Sequence, residues 1–150
     1  MEKQETLYAQ CHCAKVGIKL THRPEYINDC NCSLCRKSGG LWGYFSCADV
    51  TVTGETQPYS RKDRDEPAVQ IHFCKLCSST THWTLTPAFL KTHPDADRMG
   101  VNMRLFEQDT LRGIELRFPD GKNWSGEGDY RYRKAPLIFG DDEGSLFSPE

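Results

Sequence analysis

The sequence lacks any run of about 18 apolar residues, the length that a membrane-spanning helix requires. It also begins with the polar stretch Met-Glu-Lys-Gln-Glu-Thr, where a secretory signal would need an apolar segment. Both absences argue against a membrane partner and against export. We therefore expect a cytoplasmic protein.

A strong charge of either sign is absent as well. The 150 residues include 19 Lys and Arg against 21 Asp and Glu, which gives a formal net charge of -2. Without a basic excess, the surface has no general attraction for nucleic acid. Binding to nucleic acid or chromatin is therefore the weakest of the functions considered, and we expect no nucleic-acid partner.

Helical patterns are scarce, whereas apolar and polar residues often alternate. Alternation at period two predicts half-buried strands. It occurs over residues 16–20, 50–52, 69–73 and 114–118, and more weakly over 83–85 and 101–106. Two short helices are predicted, one from Ser33 to a stop at Gly39 and one with Pro87 in its first turn. The sequence therefore predicts a mostly β fold with few short helices.

The chain length fits one domain with a modest core. Residues 59–67 are charged and aperiodic, which is typical of a solvated loop. Residues 141–150 are polar. We predict a single domain over residues 1–140 and a polar C-terminal tail over residues 141–150.

Cysteine is abundant, with eight residues in the chain. A reducing compartment disfavours structural disulfides, so clustered cysteines are expected to bind metal or to serve redox chemistry. The redox alternative requires one reactive Cys-X-X-Cys pair at the start of a helix. Three clusters in a strand-rich chain favour metal instead.

Two pairs of cysteines form the first predicted set, namely Cys11 with Cys13 and Cys74 with Cys77. Residues i and i+2 of a strand share one face, so Cys11 and Cys13 can present both sulfurs on one side. Cys74 and Cys77 follow a predicted strand and can curl inward. Four thiolates in a tetrahedron are the ligands that a structural zinc site prefers.

The second predicted set is the run Cys30-Asn31-Cys32-Ser33-Leu34-Cys35. Three thiolates leave one zinc position open for water or a substrate thiolate, as in catalytic sites. The alternative is a structural site closed by a fourth protein ligand, for which the candidates are His12, His72 and His82. Spacing alone leaves both interpretations open.

The remaining cysteine, Cys47, lies in an aromatic strand-like segment and is predicted to be a small buried apolar residue. Trp42, Tyr44 and Phe45 of the same segment are expected to be core residues. His82, close to Cys77 in the sequence, is a candidate hydrogen-bond partner for the first metal set.

The order of these motifs resembles the glutathione-dependent formaldehyde-activating enzyme family. The resemblance rests on Cys-X-Cys, then Cys-X-Cys-X-X-Cys followed by Arg36-Lys37-Ser38-Gly39, then Phe73-Cys-X-X-Cys, and on the later Val101-Asn102-Met103-Arg104. It implies an Mss4-like arrangement of small antiparallel sheets held by zinc. It also implies that Cys11, Cys13, Cys74 and Cys77 hold a structural zinc, and that Cys30, Cys32 and Cys35 hold a zinc at the active site.

The activity that the resemblance implies is carbon–sulfur lyase chemistry on a small-molecule thiol, forming S-hydroxymethylglutathione from glutathione and formaldehyde. Glutathione carries two carboxylates, so the predicted contacts are donors: Arg36, Lys37, Asn102 and Arg104. The alternative for Arg36 and Lys37 is that they are solvated charges or offset the negative charge of the thiolates. The alternative function is a non-catalytic zinc module that binds a protein.

One position departs from the family pattern. The second Cys-X-X-Cys usually continues into glycine, whereas this chain continues into Ser78. Glycine would permit a positive φ angle that serine adopts less readily. The structural site can survive this change, but the family pattern no longer fixes the shape of the neighbouring pocket.

Overall fold

The computed structural model describes residues 5–141, which form a mostly β protein. Within these residues there are two short α-helices, α1 (Ser33–Ser38) and α2 (Pro87–Thr92). The strands are β1 (Leu7–Gln10), β2 (Gly17–Leu20), β3 (Tyr26–Asn28), β4 (Trp42–Phe45), β5 (Val50–Thr53), β6 (Thr56–Ser60), β7 (Val69–Cys74), β8 (Thr80–Leu85), β9 (Met99–Asn102), β10 (Glu115–Arg117) and β11 (Leu137–Ile138). No helix in the described part of the chain is long and apolar enough to cross a membrane.

The smaller sheet contains three antiparallel strands in the order β1-β2-β5. Its register pairs Leu7 with Leu20, and both side chains are buried. Tyr8 lies on the other face and is 70% exposed. The alternation predicted for residues 16–20 and 50–52 therefore does separate a core face from a solvent face.

The larger sheet contains eight strands in the order β11-β10-β3-β4-β9-β8-β7-β6. All of its pairs are antiparallel except β3 with β10. The expectation of small sheets is therefore correct for the first sheet and wrong for this one. The parallel pairing of β3 with the distant β10 extends the sheet, and short-range patterns do not reveal such a pairing.

Two apolar clusters cover opposite faces of the larger sheet. Ile27, Phe45 and Val101 face the main core, which they share with residues of the smaller sheet. A second cluster of Trp42, Ile71 and Trp83 lies on the other face. Cys35, one of the three cysteines of the second predicted set, packs against this second cluster.

Both predicted helices are confirmed. Helix α1 ends at Gly39, whose φ of 76° is a left-handed conformation that glycine adopts without cost. Helix α2 has Pro87 in its first turn, and Thr86 Oγ1 accepts a hydrogen bond from the backbone of Phe89.

Some predicted boundaries are wrong. The predicted strand over 101–106 ends at Asn102, and a 3-10 helix follows over Met103–Leu105. The predicted loop over 59–67 begins only after β6, which was not predicted. Of the predicted tail over 141–150, residues 142–150 lie outside the described residues.

Candidate metal centres

The first set brings together the four sulfurs of Cys11, Cys13, Cys74 and Cys77, all within 4.8 Å of one another. Cys13 Sγ lies 3.6 Å from Cys11 Sγ and 3.7 Å from Cys74 Sγ. A tetrahedron with zinc–sulfur bonds of about 2.3 Å places its sulfurs about 3.8 Å apart. The spacing of these sulfurs therefore fits a tetrahedral zinc ion.

Each cysteine pair lies in a tight turn. Ala14 and Ser78 follow the two pairs with φ angles of 66° and 65°, in the left-handed region. The backbone N–H groups of Val16 and Leu76 donate to the sulfurs of Cys11 and Cys74 over 3.3 and 3.4 Å. The two turns thus bring the four sulfurs together and supply backbone N–H groups that donate to two of them.

One expectation about this set is wrong, and the position that departs from the family pattern keeps its backbone shape. Cys11 and Cys13 lie after the end of β1, in a turn and not in a strand, because Ala14 reverses the chain there. Ser78 adopts the positive φ that the family's glycine would permit, so the backbone shape survives the substitution and the serine carries the strain.

Ser79, and not His82 as predicted, makes the side-chain hydrogen bond to a cysteine of the first set. Its hydroxyl lies 3.2 Å from Cys77 Sγ and accepts from the backbone of His12 over 3.3 Å. Hydrogen bonds from the Ser79 side chain and backbone lower the pKa of Cys77 to about 5. His82 instead bonds to Thr81 Oγ1 over 2.8 Å.

The second set brings together the sulfurs of Cys30, Cys32 and Cys35, also within 4.8 Å of one another. Helix α1 creates this arrangement, because Cys32 caps its start and accepts from the backbone of Cys35 over 3.3 Å. No further cysteine, histidine or carboxylate among residues 5–141 adds a ligand atom within that distance.

The three histidines proposed as a fourth ligand are therefore placed elsewhere. His12 lies in the turn of the first set and is exposed. His72 and His82 stack on each other with centroids 4.3 Å apart, and His72 bonds to Thr84 Oγ1 over 2.8 Å.

The three thiols of the second set lie close enough to shift one another's pKa values. Hydrogen bonds from Cys30 and then Cys35 lower the pKa of Cys32 to about 2, and the charge of Arg61 lowers it further. Hydrogen bonds with Cys30 and Cys32 raise the pKa of Cys35. Three adjacent thiolates repel one another, so a bound cation would stabilise the fully ionised set.

Two distant residues contact these sulfurs. The indole N–H of Trp42 donates to Cys35 Sγ over 3.3 Å. A Cβ added to Gly121 would lie 2.3 Å from Cys30 Sγ, so any larger residue there would force one of the two atoms to move. Asn31 holds the Gly121 loop by donating to Asp120 over 2.8 Å and accepting from the backbone of Lys122 over 2.9 Å.

The four predicted glutathione contacts lie in different surroundings. Arg36 and Lys37 are exposed on α1. Arg104 is exposed and lines a separate groove formed by residues 104–109. Asn102 is buried.

The amide of Asn102 supports the backbone. Its Oδ1 accepts from the N–H groups of Leu41 and Arg104, and its Nδ2 donates to the carbonyl of Thr80. This side chain therefore braces three segments behind the second set. Its contact with a substrate stays a prediction.

A cationic groove of about 520 Å³ begins beside Cys32, at Ser33. Its lining includes Lys37, Arg61 and Lys62. The Arg61 side chain is only 13% exposed; it donates to Ser33 Oγ over 3.3 Å and forms a two-bond ion pair with Asp63. Arg61 was not among the predicted site residues, because a charged loop carries no local signal of this contact.

The aromatic segment also differs from its prediction. Phe45 and Trp42 are core residues as expected, and the indole of Trp42 also contacts Cys35. Tyr44 is only partly buried and lines an open pocket. Cys47 is exposed, so the prediction of burial is wrong. Cys47 begins a 3-10 helix over Cys47–Asp49, in which no residue is buried.

The fold and the two cysteine sets define a β-rich protein with two sites able to hold metal ions, one with four sulfurs and one with three. The model of the glutathione-dependent formaldehyde-activating enzyme family matches residues 6–111. The chain therefore belongs to this family.

Two further comparisons give a relative of the same family name and a solved structure of similar fold. A Halomonas elongata protein named "Putative glutathione-dependent formaldehyde-activating enzyme" is 28% identical over 107 residues, which cover 65% of this chain and 68% of that protein. A crystal structure of a Rhodobacter sphaeroides protein is similar with a TM-score of 0.52 and 24% identity, covering 67% of this chain and 88% of that one. The second likeness concerns the fold alone.

Proposed function

We propose that this protein is a zinc-dependent enzyme that joins the sulfur of glutathione, or of a related small thiol, to the carbon of formaldehyde. The product would be S-hydroxymethylglutathione, and the reverse reaction is that of a carbon–sulfur lyase. One observation carries the proposal: Cys30, Cys32 and Cys35 converge, and no further cysteine, histidine or carboxylate of residues 5–141 joins them. Three protein ligands with an open position are typical of catalytic zinc.

The reaction conserves all atoms of thiol and aldehyde. The sulfur–carbon bond forms, the π electron pair of the carbonyl moves onto oxygen, and the proton lost by the thiol ends on that oxygen. A zinc ion held by Cys30, Cys32 and Cys35 would supply Lewis acidity and favour the thiolate form of a bound thiol. Trp42 would keep Cys35 oriented through its indole hydrogen bond.

The cationic groove beside Ser33 supports glutathione as the thiol. Lys37, Arg61 and Lys62 line it, with Asp63 as a counter-charge. Carboxylates bind such donors through charge-assisted hydrogen bonds. We propose that this groove binds a glutathione carboxylate, with Arg36 nearby on α1.

The four-sulfur set has a different proposed role, as a structural zinc site. Cys11 and Cys13 follow a strand of the smaller sheet, whereas Cys74 ends a strand of the larger one. A zinc ion there would join the two sheets into one domain, for which we propose an Mss4-like fold over residues 1–140. Free thiols suit the reducing cytoplasm, where glutathione is a major thiol.

Exchange NMR tests the proposed reaction by measuring how fast glutathione and formaldehyde interconvert with their adduct. We expect wild type to accelerate the exchange and Cys35→Ser to lose most of the acceleration at equal occupancy of the four-sulfur site. Cys47→Ser is the matched control, because it removes an exposed thiol that belongs to neither set. Rates no faster than buffer in wild type and Cys35→Ser alike would refute the enzymatic proposal and favour a non-catalytic binding module.

A further inference from the structure

One face of the larger sheet carries the second cysteine set and two polar side chains. Successive side chains of a strand point to opposite faces, so Phe45 turns to the main core and Tyr44 turns to the other face. Asn28 pairs with Trp42 across neighbouring strands, and the indole of Trp42 donates to Cys35 on that face.

Tyr44 lies within electrostatic reach of the sulfurs. Its ring and Cys35 both pack against the cluster that includes Trp83. Burial raises the pKa of the Tyr44 hydroxyl, and the charges of Cys35 and Cys30 contribute to the same shift. Asn28 stands two residues before Cys30 in the chain.

The hydrogen bond between Asn28 and Tyr44 leaves two neighbouring groups able to bind a ligand, the Tyr44 O–H as a donor and Asn28 Oδ1 as an acceptor. Asn28 Nδ2 donates to Tyr44 Oη over 2.9 Å, so the phenol oxygen accepts there and its own proton points elsewhere. Asn28 is 6% exposed, and its Oδ1 has no hydrogen-bond partner among residues 5–141. A buried acceptor without a partner is costly, so it indicates a ligand that donates to it.

An adjacent donor and acceptor together complement a hydroxyl group. We propose that Tyr44 and Asn28 bind the aldehyde oxygen, which becomes the hydroxyl of the adduct; this inference rests on the proposed function. Tyr44 Oη donates to the oxygen while the carbonyl π pair moves onto it and the sulfur–carbon bond forms. The proton lost by the thiol then ends on this oxygen, and the new hydroxyl donates to Asn28 Oδ1.

The role is that of an oxyanion donor, which makes Tyr44 a catalytic residue. Removing one such donor lowers kcat by orders of magnitude in other enzymes. We expect Tyr44→Phe to lower kcat of the exchange by about 100-fold while KM for glutathione stays within about twofold. Tyr8→Phe is the matched control, because this hydroxyl lies on the exposed face of the smaller sheet.

A binding measurement separates this role from a structural one. S-methylglutathione has the tripeptide and the sulfur but no hydroxyl, so calorimetry should give it equal affinity for wild type and Tyr44→Phe. Asn28→Leu is a second variant that keeps Tyr44 but removes the acceptor, and it should lower kcat by about 10-fold. Thermal melts and zinc content establish that each variant folds. If Tyr44→Phe does not fold, the kcat of Asn28→Leu tests the proposal in its place.

The outcomes distinguish this inference from the proposed function. If wild type accelerates the exchange and Tyr44→Phe stays within threefold of it, Tyr44 is not the donor and the proposed function stands. An equal loss of S-methylglutathione binding in Tyr44→Phe would make its role structural. If wild type is no faster than buffer, the inference falls together with the proposed function.

Discussion

The substitution Gly121→Ala should disturb the second cysteine set, because Gly121 lies against Cys30. The added Cβ would lie 2.3 Å from Cys30 Sγ, whereas ordinary contacts begin near 3.4 Å. One of the two atoms must therefore move by about 1 Å. Such overpacking lowers the free energy of unfolding by about 1–3 kcal/mol if the loop shifts to make room for the added Cβ.

The displacement should act mainly on metal binding. Zinc–ligand distances vary by only about 0.2 Å, so a movement of about 1 Å would take the Cys30 sulfur out of bonding distance of the zinc ion. We expect zinc affinity at Cys30, Cys32 and Cys35 to fall by about 10- to 100-fold, with the four-sulfur site unaffected.

Competition with a chromophoric chelator measures the two affinities separately, and elemental analysis counts the zinc ions per chain. Lys122→Ala is the matched control, since it alters the same loop but keeps the backbone bond to Asn31. Unchanged affinity of both sites in Gly121→Ala would refute the contact between this loop and Cys30.

Four further outcomes follow from the described contacts. Cys74→Ser should lose the structural zinc and most of the cooperative melt; a melt near the wild-type midpoint would contradict this role. Ser78→Gly should raise the unfolding free energy by about 1 kcal/mol in urea titrations, because glycine adopts the 65° φ without strain. Lys62→Glu should raise KM for glutathione about fivefold with an unchanged melt if the groove binds a carboxylate. Burial, aided by the charge of His72, lowers the pKa of His82 to about 3 from its ordinary value of 6.5, so the unfolded chain binds more protons below pH 6.5. As the pH falls below 6.5, wild type should therefore lose about 1.4 kcal/mol more per pH unit than His82→Gln, and equal slopes would contradict the burial of a neutral ring.

The cysteine sets could be predicted because their spacing is local. Cys30, Cys32 and Cys35 lie within six residues, and the start of α1 at Cys32 brings their sulfurs together. The two helices likewise followed from a proline at one start and a glycine at one end. Such signals depend on neighbouring residues and so are readable in the sequence.

The surroundings of the second set could not be predicted in this way. Gly121 meets Cys30 across about 90 residues of sequence, and the pairing of β3 with β10 that brings this region close has no local pattern. Asn28 lies at the end of a three-residue strand, which is too short for periodicity to detect. The positions that shape the pocket therefore depend on tertiary pairing, whereas the ligands do not.

Cadmium-113 NMR of the cadmium-substituted protein tests whether the second cysteine set, unlike the first, leaves a metal position open. We expect two cadmium resonances, of which only the one lost in Cys35→Ser shifts when glutathione is added. The resonance lost in Cys74→Ser should stay in place. Two resonances that both ignore glutathione, or a single resonance in the fully loaded protein, would contradict an open metal position at Cys30, Cys32 and Cys35.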